Sequence, residues 1–133
     1  NSDQIPVLFG GDFNAVPHTD GGESLASEKM LAAGFTDAYR NIYPNVEAYP
    51  GFTHRGEFRI DQLYYKGKGL KNKTTEVIST WPAGFPSDHF LIVSGISKDG
   101  GHVIKNDLPS SETFTKRKKM LQWFILTPSS IWL

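Results

Sequence analysis

Three short stretches place carboxylates, an amide and an imidazole where the chain leaves or enters an apolar strand. In VLFGGDFNAVP, residues 7 to 17, an apolar run ends at two glycines and at once presents Asp12 and Asn14. In FRIDQLYY, residues 58 to 65, Asp61 sits early in a β-branched and aromatic segment. In PSDHFLIVSGI, residues 86 to 96, Asp88 and His89 stand directly before a continuous apolar run. Side chains at the ends of adjacent strands converge on one rim. A rim of carboxylates suits a hard divalent cation such as magnesium. An imidazole beside a carboxylate is an oriented and more basic group. Such a set can orient a water, neutralise a phosphate and support an in-line displacement.

Taken singly, each of these signals has an ordinary explanation. An Asp at a strand end commonly starts a turn, and Ser87-Asp88 reads the same way. Arg59 and Asp61 on one strand read as a surface ion pair. His18, His54 and His102 read as solvated or hydrogen-bonded side chains. Trp81 and Phe85, in the loop before Asp88, serve either as core or as a stacking surface.

The elements that must position these residues follow from periodicity. IPVLFGG reads as a short buried strand. SLASEKMLAAG reads as a helix, with Leu25, Ala26, Met30 and Ala33 at helical spacing, Ser24 as its N-cap and Gly34 at its end. Residues 36 to 52 read as loop, broken by Pro44, Pro50 and Gly51. FRIDQLYY and TTEVIST read as strands joined through GKG. FLIVSGI reads as a strand buried on both faces. Strands with a helix among them predict a layered α+β domain over residues 1–97. Residues 98–111 are polar and read as a linker. The tail that follows carries KRKK and then MLQWFILTPSSIWL, which reads as a loose tail, a short docking helix or a basic-aromatic membrane-surface anchor interrupted by Pro128.

Composition narrows the classes. Hydrophobic residues form 38% and charged residues 21% of the 133, so a packed core is expected. A formal net charge of zero argues against a broad basic face for nucleic acid, though not against a local basic cleft. The absence of cysteine excludes disulfides and thiolate metal sites. No apolar run has the length of a transmembrane helix.

In their order, GDFN, RID and SDH before an apolar strand resemble the C-terminal signature of the endonuclease/exonuclease/phosphatase family, also called DNase I-like. GFTDAYR at 34–40 and FTH at 52–54 fit the same pattern, and the resemblance covers about residues 5 to 97. It implies part of a four-layer α/β/β/α sandwich and a magnesium- or manganese-dependent phosphoester hydrolase. By that resemblance Asp12 positions or activates the attacking water, and Asn14 contacts the phosphate and holds Asp12. Asp61 hydrogen-bonds the catalytic histidine, His89, which acts at the scissile phosphate. Asp88 lies near the metal, with Asp12 as a second metal-side carboxylate. The substrate is a phosphoester: nucleic acid, phosphoinositide, phospholipid or a small phosphoester. Members of the family carry a further N-terminal half with the principal metal-binding Glu, and no residue before Asp12 matches it. The resemblance therefore implies the C-terminal portion of a catalytic domain, completed by that half or by another chain. The alternative is an inactive fragment or binding remnant.

Overall fold

A computed structural model describes residues 5–98. The proposed linker and tail, from 99 onward, lie outside the described residues. The elements in order are β1 (Val7–Asp12), a 3-10 turn (His18–Asp20), α1 (Leu25–Ala32), β2 (Thr36–Asp37), α2 (Ala38–Ile42), β3 (Asp61–Lys66), β4 (Leu70–Ile78) and β5 (Leu91–Lys98). The fold is α+β, with two small sheets. One is three-stranded in the order β1-β3-β2, and the other pairs β4 with β5. All pairings are antiparallel, and β1 meets β3 with Asp12 directly opposite Asp61.

The local chemistry explains the elements. Ser24 caps α1, its hydroxyl accepting the Ser27 N–H at 3.3 Å. Gly34, at φ +82°, supplies the left-handed residue just beyond the helix. The stretch expected to be loop after residue 36 instead holds β2 and the single-turn helix α2. Asp37 makes that turn possible by accepting the N–H groups of Tyr39 and Arg40.

Two strands differ from the expectation of full burial. β1 has Val7, Leu8 and Phe9 at least partly exposed, on alternating faces, because among the described residues it is an edge strand paired only with β3. In β5 only Ile92 is fully buried, since that strand pairs with β4 alone. No helix among the described residues is long and apolar enough to cross a membrane.

The interior is held by polar contacts. Arg59, Asp61, Asp37, Gln62, Thr53 and Thr75 are buried beside Tyr39, Tyr64, Tyr65 and Ile92. Arg59 is the centre of this network. Its Nε donates to Asp20 Oδ2 at 2.6 Å and its Nη2 to Asp37 Oδ2 at 2.7 Å, with all three side chains at most 5% exposed. Arg40 closes the same network, with Nε at 2.7 Å from Asp20 and further N–H groups on the carbonyls of Tyr43, Tyr49 and Pro50. The Tyr39 ring lies beneath both guanidiniums. The surface pair expected between Arg59 and Asp61 is absent from this arrangement: Arg59 turns inward to two other carboxylates.

Burial alone would raise the Asp20 carboxyl, but the hydrogen bonds and charges of Arg40 and Arg59 override it and draw its pKa down to about 2. A depressed folded pKa gives stability that is complete above the ordinary carboxylate range and is lost as pH falls from about 4 toward 2. In the full-length protein, Asp20→Asn should therefore flatten the stability loss over that window, as measured by urea unfolding at several pH values. Arg59→Ala leaves buried Asp37 without its cation and Asp20 with Arg40 alone, and should destabilise by about 3 to 5 kcal/mol at neutral pH. A change below about 1 kcal/mol, the range of an exposed pair, would show that the network is not a structural anchor.

Candidate active site

β1 delivers Asp12 at its last residue, and the chain turns at once. The Asn14 N–H donates to Asp12 Oδ1 at 2.8 Å, with Asn14 itself at φ +50°. Asn is one of the few residues that tolerates this left-handed conformation, which explains the residue type locally. The bend is pinned from below, since Gln62 donates to the Ala15 carbonyl at 2.8 Å and accepts the Tyr64 hydroxyl at 2.6 Å.

Across the ladder, Asp61 begins β3 and is nearly buried. Its Oδ2 lies 2.8 Å from His89 Nδ1. The opposite nitrogen, His89 Nε2, lies 4.0 Å from Asp12 Oδ2. Asp12, Asp61 and His89 thus form one row, with Asp12 the most exposed of the three. An acceptor at Nδ1 assigns the ring proton to that atom and turns the Nε2 lone pair toward Asp12.

His89 and Asp61 come from segments far apart in sequence, and Thr53 joins them. Its Oγ1 accepts the N–H groups of Ile60 and Asp61 at 3.0 and 2.9 Å. Its carbonyl accepts the Phe90 N–H at 2.7 Å, while the Asp88 carbonyl accepts the Arg55 N–H at 2.9 Å. Fully buried Thr53 therefore ties the strand that carries Asp61 to the loop that carries His89. The FTH stretch drew notice only as part of a pattern, and its staple role depends on backbone partners that spacing does not reveal.

Asp88 faces outward on this loop. Its carboxyl is held below the usual range, first by its own backbone N–H and then by the neighbouring His89 charge. His54 Nε2 lies 3.5 Å from Asp88 Oδ2. Carboxylate and imidazole atoms within 4.8 Å of one another group as Asp12, Asp61 and His89, and as His54, Asp88 and His89. Of the remaining candidates, His18 Nδ1 pairs with the Ser27 hydroxyl at 2.9 Å and belongs to the packing of α1. Phe85 packs edge-on against Phe90, and its carbonyl accepts from Arg55.

Burial works against the His89 imidazolium, but the Asp61 hydrogen bond and the charges of Asp61, Asp12 and Asp88 outweigh it, so its pKa is raised above the ordinary histidine value. A raised folded pKa stabilises the fold below the unfolded value of about 6.5 and loses that contribution as pH rises through the folded pKa.

Residues 2–89 match the endonuclease/exonuclease/phosphatase family, about two thirds of the sequence. The chain belongs to that family. It is also similar to an uncharacterized protein of Caenorhabditis elegans, with 26% identity over 126 residues, covering 68% of this chain and 40% of the relative. The chain thus spans less than half the length of that relative. No solved structure matches it.

The Asp61 contact has a spectroscopic consequence. In the full-length protein, Asp61→Asn should lower the NMR titration midpoint of His89, because the largest opposing effect to burial is lost. An unmoved midpoint would mean that the two side chains are not paired in solution.

Proposed function

We propose that this chain carries the phosphate-handling part of a divalent-metal-dependent phosphoester hydrolase. The observation that supports this most is the row Asp61, His89, Asp12, in which a buried carboxylate orients an imidazole whose free nitrogen faces an exposed carboxylate. In this reading Asp61 fixes the tautomer and direction of His89. His89 exchanges a proton at Nε2 with the water or the phosphoryl oxygen, and Asp12 orients the attacking water. Asn14, at the turn that holds Asp12, contacts the phosphate. The bend after β1 exists so that Asp12 and Asn14 stand beside the same phosphoryl group.

The donor set suits magnesium or manganese. Asp12 and Asp88 offer exposed oxygen ligands, and such ions take one or two carboxylates and keep several waters. Asp61 is engaged by His89 and is not a free ligand. The metal, when bound, neutralises phosphate charge and favours ionisation of the attacking water. The four-layer sandwich and the role of C-terminal portion belong to the same proposal. The exposed Val7 and Phe9, which share one face of β1, support it, because apolar side chains on one strand face fit a second sheet. The whole protein's substrate is one of the phosphoester classes named above.

The test uses the full-length protein with bis(p-nitrophenyl) phosphate as a diester probe and p-nitrophenyl phosphate as a monoester probe. Hydrolysis should require magnesium or manganese and stop with a chelator. Asp12→Asn and His89→Ala should each lower kcat on the order of 10² to 10⁴ without moving the unfolding midpoint. Full turnover in folded Asp12→Asn, or chelator-resistant turnover, would overturn the reading.

A further inference from the structure

His54 is built into the site with more care than a surface histidine requires. The Gly56 N–H donates to its Nδ1 at 2.9 Å. Its ring stacks on Phe58 at 6.5 Å between centroids and meets His89 edge-on at 4.9 Å. Its backbone bridges to both Phe58 and His89. A Cβ at position 56 would lie 2.9 Å from His54 Nδ1 and 3.1 Å from the Phe58 ring, so a larger residue there would push the imidazole out of this position. The ring is thus fixed on two sides, and its orientation is set by the main chain.

That orientation determines the chemistry. A ring nitrogen that accepts an N–H carries a lone pair, so the proton of the neutral ring sits on Nε2. A histidine that ligates a metal through Nε2 needs the reverse tautomer, with its Nδ1–H donating to a carboxylate or carbonyl. Although His54 falls within a cluster of the right size, its Nε2 is a donor rather than a ligand. That donor faces Asp88 Oδ2 at 3.5 Å, and the Asp88 side chain is otherwise 68% exposed. His89 has the opposite tautomer, with Nδ1 donating to Asp61. The two adjacent imidazoles therefore divide their roles: one offers a lone pair to the site and the other an N–H to its outer carboxylate.

We infer that His54 is a positioning residue that holds the Asp88 carboxylate in place through its Nε2–H, with the tautomer set by Gly56. This rests on the hydrolase reading for what Asp88 does, but not for how His54 is oriented. Outer partners of this kind typically change metal affinity or activity by about 10- to 100-fold when removed.

The test has two readouts on the full-length protein. A long-range proton–nitrogen NMR spectrum assigns the ring tautomers, with His54 expected to carry its proton on Nε2 and His89 on Nδ1. Mn²⁺ binding, followed by electron paramagnetic resonance, is then compared in two variants. His54→Gln places an amide N–H near the position of Nε2, whereas the amide of His54→Asn reaches only as far as Nδ1. Binding should weaken about tenfold in His54→Asn and recover most of that loss in His54→Gln. The magnesium concentration for half-maximal hydrolysis of the diester probe should move in parallel. Equal Mn²⁺ affinity in the two variants, or an Nδ1–H tautomer in the wild-type spectrum, overturns the inference. If the wild-type protein hydrolyses neither probe, the hydrolase reading fails, and the tautomer and the Mn²⁺ affinities still decide the role of His54. If a variant does not fold, the wild-type tautomer decides alone.

Discussion

Arg59 sits buried between Asp20 and Asp37, and the rest of the described fold is arranged around that contact. A guanidinium in this position is costly to desolvate, and only bidentate, hydrogen-bonded partners offset the expense. Its carboxylate partners come from two places, the turn after β1 and the cap of α2, while Arg40 shares Asp20 and gathers the loop carbonyls beside it. The two guanidiniums thus join segments that lie far apart in sequence. The Tyr39 ring lies beneath both guanidiniums and packs in turn against Tyr43. Because a lone buried charge is so unfavourable, the arrangement has few near-equal alternatives, and this gives a small, polar interior a single geometry.

The site inherits that geometry by adjacency. Arg59 stands two residues before Asp61, so anchoring the first constrains the second. Thr53 then converts the constraint into a distance. It accepts the Asp61 N–H with its hydroxyl and the Phe90 N–H with its carbonyl, which sets the Asp61–His89 hydrogen bond at 2.8 Å. Asp12 needs no separate device, because the β1–β3 register places it opposite Asp61. The charged groups nearest the proposed chemistry therefore rest on strands and on a doubly bonded threonine rather than on free loops. The exposed rim, with Asp12, Asn14 and Asp88, is left accessible to a ligand.

The candidate residues that the structure brings together were legible in the sequence, and the fold less so. Asp12 and Asp61 stand at strand ends and Asn14, Asp88 and His89 within three residues of one, and composition changes sharply there. The helix at 25–32 was legible from its capping serine and following glycine. What stayed hidden has physical reasons. Strand burial was overestimated because an apolar run specifies a surface that wants covering without specifying what covers it. The turn of α2 was lost among prolines, although Asp37 two residues before Tyr39 is the signature of its cap. The partners of Arg59 lie 39 and 22 residues away, beyond any local pattern, so the nearby Asp61 seemed the natural mate. His54 was read as an ordinary polar side chain, because its tautomer depends on a backbone N–H two residues on.

In the proposed mechanism Asp61 acts on a phosphoester only through His89. Removing either member of such a unit removes the function of the other, so their effects cannot add. The direct measurement is a double-mutant cycle in the full-length protein, using kcat/KM for magnesium-dependent hydrolysis of bis(p-nitrophenyl) phosphate with Asp61→Asn, His89→Ala and the pair. The double variant is expected to be no slower than His89→Ala alone. Losses that multiply would show that Asp61 and His89 serve independent purposes and would contradict the proposed mechanism.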